Sequence, residues 1–154
     1  MKTCVFAGSF DPFTIGHQEV VDKCLEMFDG VIIAVLNNPD KNPMFSVEKR
    51  VDFINALYGN DKRVSVKCWN GLLVDFMREN NVKINVRGVR NADDYKYENN
   101  MTYFNTDMYP ELITVYLPSK LSLSHVSSSA IRSLITAGGD AKDYIPEKIY
   151  SLIK

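Results

Sequence analysis

The stretch FAGSFDPFTIGH, Phe6 to His17, breaks an apolar run at Gly8, Asp11, Pro12 and Gly16 and sets one of the chain's two histidines just ahead of an amphipathic segment. Three further stretches carry related chemistry: Lys41 in NPDKNP, Arg87, Gly88 and Arg90 in RGVR, and Ser127, Ser128 and Ser129 in SSSAIR. With the hydroxyl of Ser9 and the backbone of Phe10 they make a set of cations, hydrogen-bond donors and glycines. A helix start with free N–H groups, and glycines that admit close backbone approach, suit a bound phosphate. Neither G-x-G-x-x-G nor G-x-x-x-x-G-K-[ST] occurs, so a phosphate site here needs another design, and His17 at a helix start is one. Each piece alone has a plainer reading: TIGH as a helix cap, SSS as a capping signal, RGVR as a strand end with solvated arginines, Lys41 as a surface lysine. His125 has no partner pattern and reads as a loop histidine.

Bringing these groups to one rim requires a particular order of elements. Lys2–Gly8, Val31–Asn37, Val64–Trp69, Lys83–Gly88 and Leu112–Pro118 read as strands, the second a continuous apolar run of the kind buried in parallel sheets. Between them the apolar spacing turns helical. Val20, Val21, Cys24, Leu25 and Phe28 mark a helix over His17–Phe28, closed by Gly30. Ser46 caps a helix carrying Val47, Val51, Ile54 and Leu57, with Gly59 beyond it. Leu72–Asn80 and Ala92–Tyr109 follow, then a helix from the serine run to Gly138 and Gly139, and a last one to Ile153 with Pro146 in its first turn. Such alternation predicts one doubly wound, Rossmann-like α/β domain over residues 1–154, with about five parallel strands flanked by helices. In that architecture ligands bind outside the carboxyl ends of the strands, where the strand order reverses, so the loops after the strands should hold the chemistry.

Composition narrows the classes. Hydrophobic residues at 45% and charged residues at 24% describe a globular protein, and a net charge of −1 gives no bulk field for nucleic acid or an anionic membrane. Cys4, Cys24 and Cys68 are odd in number and lack C-x-x-C spacing, so they read as buried thiols in a reducing compartment. With only His17 and His125 beside them, no metal cluster is expected. The chain shows no signal-peptide pattern or membrane-spanning run, and a cytoplasmic location is expected.

In combination the motifs say more. GSFDPFTIGH resembles the signature of the T/H-x-G-H nucleotidylyltransferase superfamily. PDKNPMFSVEKR, RGVRNADDYKYE, LPSKLSLSHVSSSAIR and GGDAKDYIPEKI follow in the order and spacing of its phosphopantetheine adenylyltransferase family. The resemblance implies transfer of AMP from ATP to 4′-phosphopantetheine, giving dephospho-coenzyme A and pyrophosphate, with Mg²⁺ accompanying ATP. It implies that His17 stabilises the transition state, assisted by Lys41 and Arg90. ATP would be met by Ser9, Phe10, His17, Gly88, Val89, Arg90 and Glu98, and by the run Leu123, Ser124, His125, Val126, Ser127, Ser128 and Ser129. Phosphopantetheine would be met by Ser9, Lys41, Leu73 and Arg87. Three positions depart from commoner family residues: Ser9 for threonine, Leu73 for methionine and Leu123 for tryptophan. The family also implies a homo-oligomer, commonly a hexamer.

A phosphate acceptor is already an anionic nucleophile, so the protein needs to align two anions and neutralise developing charge rather than form a covalent intermediate. That fits a motif set of cations and N–H donors without a Ser–His–Asp arrangement. The alternatives are a sister enzyme using nicotinamide mononucleotide or glycerol phosphate, a non-catalytic nucleotide-binding or flavodoxin-like signalling domain, and a structural subunit.

Overall fold

The β-branched and apolar runs become β1 (Thr3–Gly8), β2 (Gly30–Leu36), β3 (Val64–Trp69), β4 (Ile84–Val89) and β5 (Ile113–Pro118) in the computed structural model, which describes residues 1–38 and 40–154. Pro39, in the expected NPDKNP loop, lies outside the described residues. All pairings are parallel, in the order β3-β2-β1-β4-β5. β1 is central, held to β2 from Thr3↔Gly30 to Gly8↔Val35 and to β4 from Cys4↔Ile84 to Phe6↔Val86. The chain winds outward from β1 to β3, then returns and winds the other way through β4 and β5. The crevice this reversal opens lies at the carboxyl ends of β1 and β4.

The helices are α1 (Ile15–Met27), α2 (Val47–Tyr58), α3 (Leu73–Glu79), α4 (Ala92–Met108), α5 (Ser128–Thr136) and α6 (Glu147–Ile153). Ser46, Asn91 and Ser127 each accept the N–H three residues on, capping α2, α4 and α5 as their side chains favour. Most boundaries shift by a residue or so from the sequence expectation, and three of the differences have an evident cause. α1 begins at Ile15, because Thr14 supplies a cap that the pattern of apolar residues does not reveal. Gly30 does not close α1 but opens β2 by pairing with Thr3, and Phe28 ends the helix through its N–H to Cys24. Pro146 is the cap residue of α6, extended at ψ 138, rather than part of its first turn.

Alternation along the strands divides the core between the two faces of the sheet. Cys4, Phe6, Val31, Ile33, Val35 and Val86 pack with Val21, Phe53, Ile54, Ile131 and Ile149 from α1, α2, α5 and α6. On the other face Val5, Ala7 and Ala34 meet Val74, Phe76 and Met77 of α3, with Tyr109 and Leu112. α4 shares that second face yet buries none of its residues. Cys4 and Cys24 are buried as expected, but Cys68 is exposed on edge strand β3, which corrects the reading of three buried thiols. Among the described residues no helix is long and apolar enough to cross a membrane.

Candidate active site

The turn after β1 sets the geometry. Phe10 takes a left-handed φ of 51° and turns its ring back over Gly8, where an added Cβ would stand 3.1 Å from that ring. Residues on this turn then alternate. Gly8 and Phe10 line a cavity of about 190 Å³, while Ser9 and Asp11 line a second of about 130 Å³. The turn after β1 therefore borders both.

Most of the sequence-derived set enters the first cavity. His17 and Thr14 come from the start of α1, Arg87, Gly88, Val89 and Arg90 from the end of β4, and Leu123, Val126, Ser127 and Ser128 from the approach to α5. The N-termini of two helices therefore border it, adding partial positive charge to that of the arginines. Gly88 is required by packing, since a Cβ there would lie 2.9 Å from Cγ2 of Val20.

His17 is fixed by a capping box. Its Nδ1 accepts the Thr14 N–H at 2.9 Å, while its own N–H donates to Thr14 Oγ1 at 3.3 Å. With Nδ1 occupied as an acceptor, the ring proton belongs on Nε2. Rings of Phe6, Phe10 and Phe13 surround the imidazole at 6.1, 5.0 and 5.3 Å. Burial, then the nearby Arg87 and Arg90 charges, lower its pKa from 6.5 to about 3. His17 is thus a neutral N–H donor, not a cation.

The arginines already have carboxylate partners on α4. Arg87 donates through Nε and Nη2 to both oxygens of Glu98, each at 2.8 Å, and through Nη1 to the Ala7 carbonyl at 2.6 Å. Arg90 pairs with Asp94 at 2.9 Å. A guanidinium has five N–H bonds, so Arg87 keeps two for a ligand. Glu98, expected beside the nucleotide, is bound to Arg87 instead and does not border the first cavity.

The second cavity gathers Ser9 and Lys41 with Leu36, Asn38, Arg50 and Arg132. Leu73 is the first residue of α3 and borders neither cavity. Ser124, His125 and Ser129 do not border the first, and the exposed His125 ring packs edge-on to Tyr144 at 5.7 Å.

Sequence reasoning missed the supports. Arg50 is 2% exposed and donates to the carbonyls of Phe45 (3.1 Å), Ser9 (2.7 Å) and Leu36 (3.2 Å) and to Asn37 Oδ1 (3.4 Å). Buried Asp11 accepts from the N–H groups of Met44 and Phe45, at 2.8 and 2.9 Å. Arg132 donates to the Asp11 carbonyl, and Ser128 to that of Pro12, both at 2.8 Å. An arginine on an otherwise ordinary amphipathic helix gives no local sign of such a role. Its position four residues after the Ser46 cap, on the apolar side of α2, was the signal available.

The arrangement presents an uncharged imidazole N–H, two partly engaged guanidiniums and two helix starts around one cavity. A lysine and further arginines stand behind the adjoining wall. It can hold two anions close together.

Comparison with known proteins agrees with this chemistry. The cytidylyltransferase-like family matches residues 5–134. A phosphopantetheine adenylyltransferase of Clostridium botulinum (strain 657 / Type Ba4) is 39% identical over 154 residues, covering 100% of this chain and 94% of that protein. One from Alkaliphilus metalliredigens (strain QYMF) is 37% identical over 147 residues, 96% of this chain and 94% of that protein. Among solved structures, a bifunctional NMN adenylyltransferase/ADP ribose pyrophosphatase from Francisella tularensis superposes with a TM-score of 0.72 at 19% identity. It shares the fold over 94% of this chain, which spans 44% of that larger protein.

Proposed function

The chain belongs to the cytidylyltransferase-like family, among its phosphopantetheine adenylyltransferases, and from that membership we infer that it transfers AMP from ATP to 4′-phosphopantetheine in coenzyme A synthesis. A phosphate oxygen of the acceptor attacks the α-phosphorus of ATP, the bond from that phosphorus to the bridging oxygen breaks, and pyrophosphate leaves with the electron pair. Dephospho-coenzyme A is the other product, and no proton need move.

The observation that carries this reading is that His17 and Arg87 line one cavity, bordered by the same turn after β1 whose Ser9 lines a second cavity with Lys41. ATP enters the first cavity with its triphosphate toward His17, Arg90, Ser127 and Ser128. Because about 190 Å³ is below the usual span of small-molecule sites, the nucleotide extends past the rim. The acceptor reaches from the Ser9 and Lys41 side, and Arg87 holds its phosphate where the cavities adjoin. Alignment of this kind is worth about 7–11 kcal/mol of barrier, and one well-aimed donor about 3–4 kcal/mol. A neutral donor suits His17, since it binds developing charge without first attracting a competing anion as strongly as a cation would. Glu98 and Asp94 are engaged by arginines, which supports Mg²⁺ arriving on the phosphate oxygens of ATP rather than on protein carboxylates.

Homo-oligomeric assembly is part of the proposal. Tyr97 and Phe104 of α4 are 68% and 64% exposed, and Met101 and Tyr103 of the same helix and Ile113 of edge strand β5 are also exposed. Apolar area of this extent supports coverage by another copy of the chain, in an enzyme working in the cytoplasm. The reaction is tested by mixing protein, ATP, Mg²⁺ and 4′-phosphopantetheine and following pyrophosphate, with nicotinamide mononucleotide as the control acceptor. Release with the control alone overturns the assignment.

A further inference from the structure

Arg87, Arg90, the neutral N–H donor His17 and the start of α5 share the lining of the first cavity with the apolar side chains of Val20, Val89 and Leu123. Ser119, just after β5, stands in the same lining. Its hydroxyl is buried and has no hydrogen-bond partner among the described residues.

Ser119 is also held firmly. Its N–H donates to the Val89 carbonyl at 2.9 Å. On one side Lys23 Nζ donates to the Pro118 carbonyl at 2.9 Å, and on the other the Lys120 N–H donates to Glu19 Oε1 at 3.2 Å. Lys23 and Glu19 are themselves paired at 2.9 Å. The backbone is thus fixed on both flanks by α1 and by β4. Burying a hydroxyl without a partner costs free energy that a ligand supplying the partner recovers.

We infer that Ser119 is a base-recognition residue, its hydroxyl hydrogen-bonded to the edge of the ATP purine. This rests on the adenylyltransferase reading and extends it from the phosphates to the base. The phosphates are drawn to the cations, which leaves the ring system for the apolar part of the lining, where an adenine edge offers both donors and acceptors to a hydroxyl that can serve either way.

The test is Ser119→Ala, with binding of ATP, tripolyphosphate and 4′-phosphopantetheine measured by calorimetry beside thermal melts. ATP binding should weaken about three- to tenfold, as for loss of one neutral hydrogen bond. Affinity for tripolyphosphate and 4′-phosphopantetheine should not change. The melting temperature should hold or rise, because the substitution removes an unpaired buried group. Unchanged ATP affinity overturns the inference. So does an equal loss for tripolyphosphate, which would assign the hydroxyl to the phosphates, or a fall in melting temperature, which would make it a structural group. Failure of the unmodified protein to release pyrophosphate would instead sink the adenylyltransferase reading on which the inference stands.

Discussion

His17 does its work uncharged. An imidazole neutral in the fold down to about pH 3 gives the rate no inflection near its ordinary pKa of 6.5. Profiles of kcat and kcat/KM should therefore lack a histidine inflection between about pH 5.5 and 7.5. Folding should respond to the same group. Between 6.5 and about 3 the unfolded chain binds a proton at this residue that the native chain does not, so stability falls as pH falls through that window. Urea midpoints should drop more from pH 7 to pH 5 in the unmodified protein than in His17→Ala. The same substitution should lower turnover at least about a hundredfold. It should also cost about 1 kcal/mol of stability through loss of the bond to Thr14, so the imidazole is both donor and cap. Glu98 calls for a separate measurement. Because both its oxygens lie on Arg87, Glu98→Gln should raise KM for 4′-phosphopantetheine several-fold and leave KM for ATP unchanged. A larger effect on ATP would place Glu98 on the nucleotide, as the family resemblance implies.

Elements were the most legible level. Apolar spacing, Ser46, and glycines beyond helix ends located every strand and helix to within a few residues, since each of these signals acts over one or two turns of chain. Boundaries failed where a distant partner decided them, as when pairing with Thr3 drew Gly30 into β2. The supports of the site were illegible for the same reason. Arg50 and Asp11 stitch the loop after β1 to the loop after β2 across more than thirty residues of sequence. Arg50→Met should remove the donor to three carbonyls and leave an apolar side chain among them, costing more than about 3 kcal/mol in a denaturant titration. Arg50→Lys should recover part of that, as a cation with fewer and less spread donors. A result below about 1 kcal/mol for the methionine variant would show that water replaces the guanidinium.

For the molecule as a whole, α4 is the unusual element. It buries no residue, and it meets the sheet through two polar ties, Glu98 to Arg87 and Thr102 Oγ1 to the Tyr116 hydroxyl at 2.6 Å, and through the Tyr95 ring set edge-on to Tyr116 at 5.1 Å. A 17-residue helix that lacks a buried stripe gains little from its own subunit, and covering the exposed Tyr97, Tyr103 and Phe104 in an oligomer would supply what is missing. Tyr103→Lys with Phe104→Lys should shift sedimentation to a smaller species. A doubly substituted protein that sediments like the original would place the interface elsewhere. The sequence by itself determined the alternating elements, their caps, and which donors and cations fall in loops at one rim, because these depend on neighbours a few residues apart. Only the tertiary structure decided how the rim is divided into two cavities, which hydrogens of Arg87 are already committed, and that His17 is neutral. Those properties come from side chains meeting through space and from the water they exclude, and nothing in the spacing of residues along the chain records either.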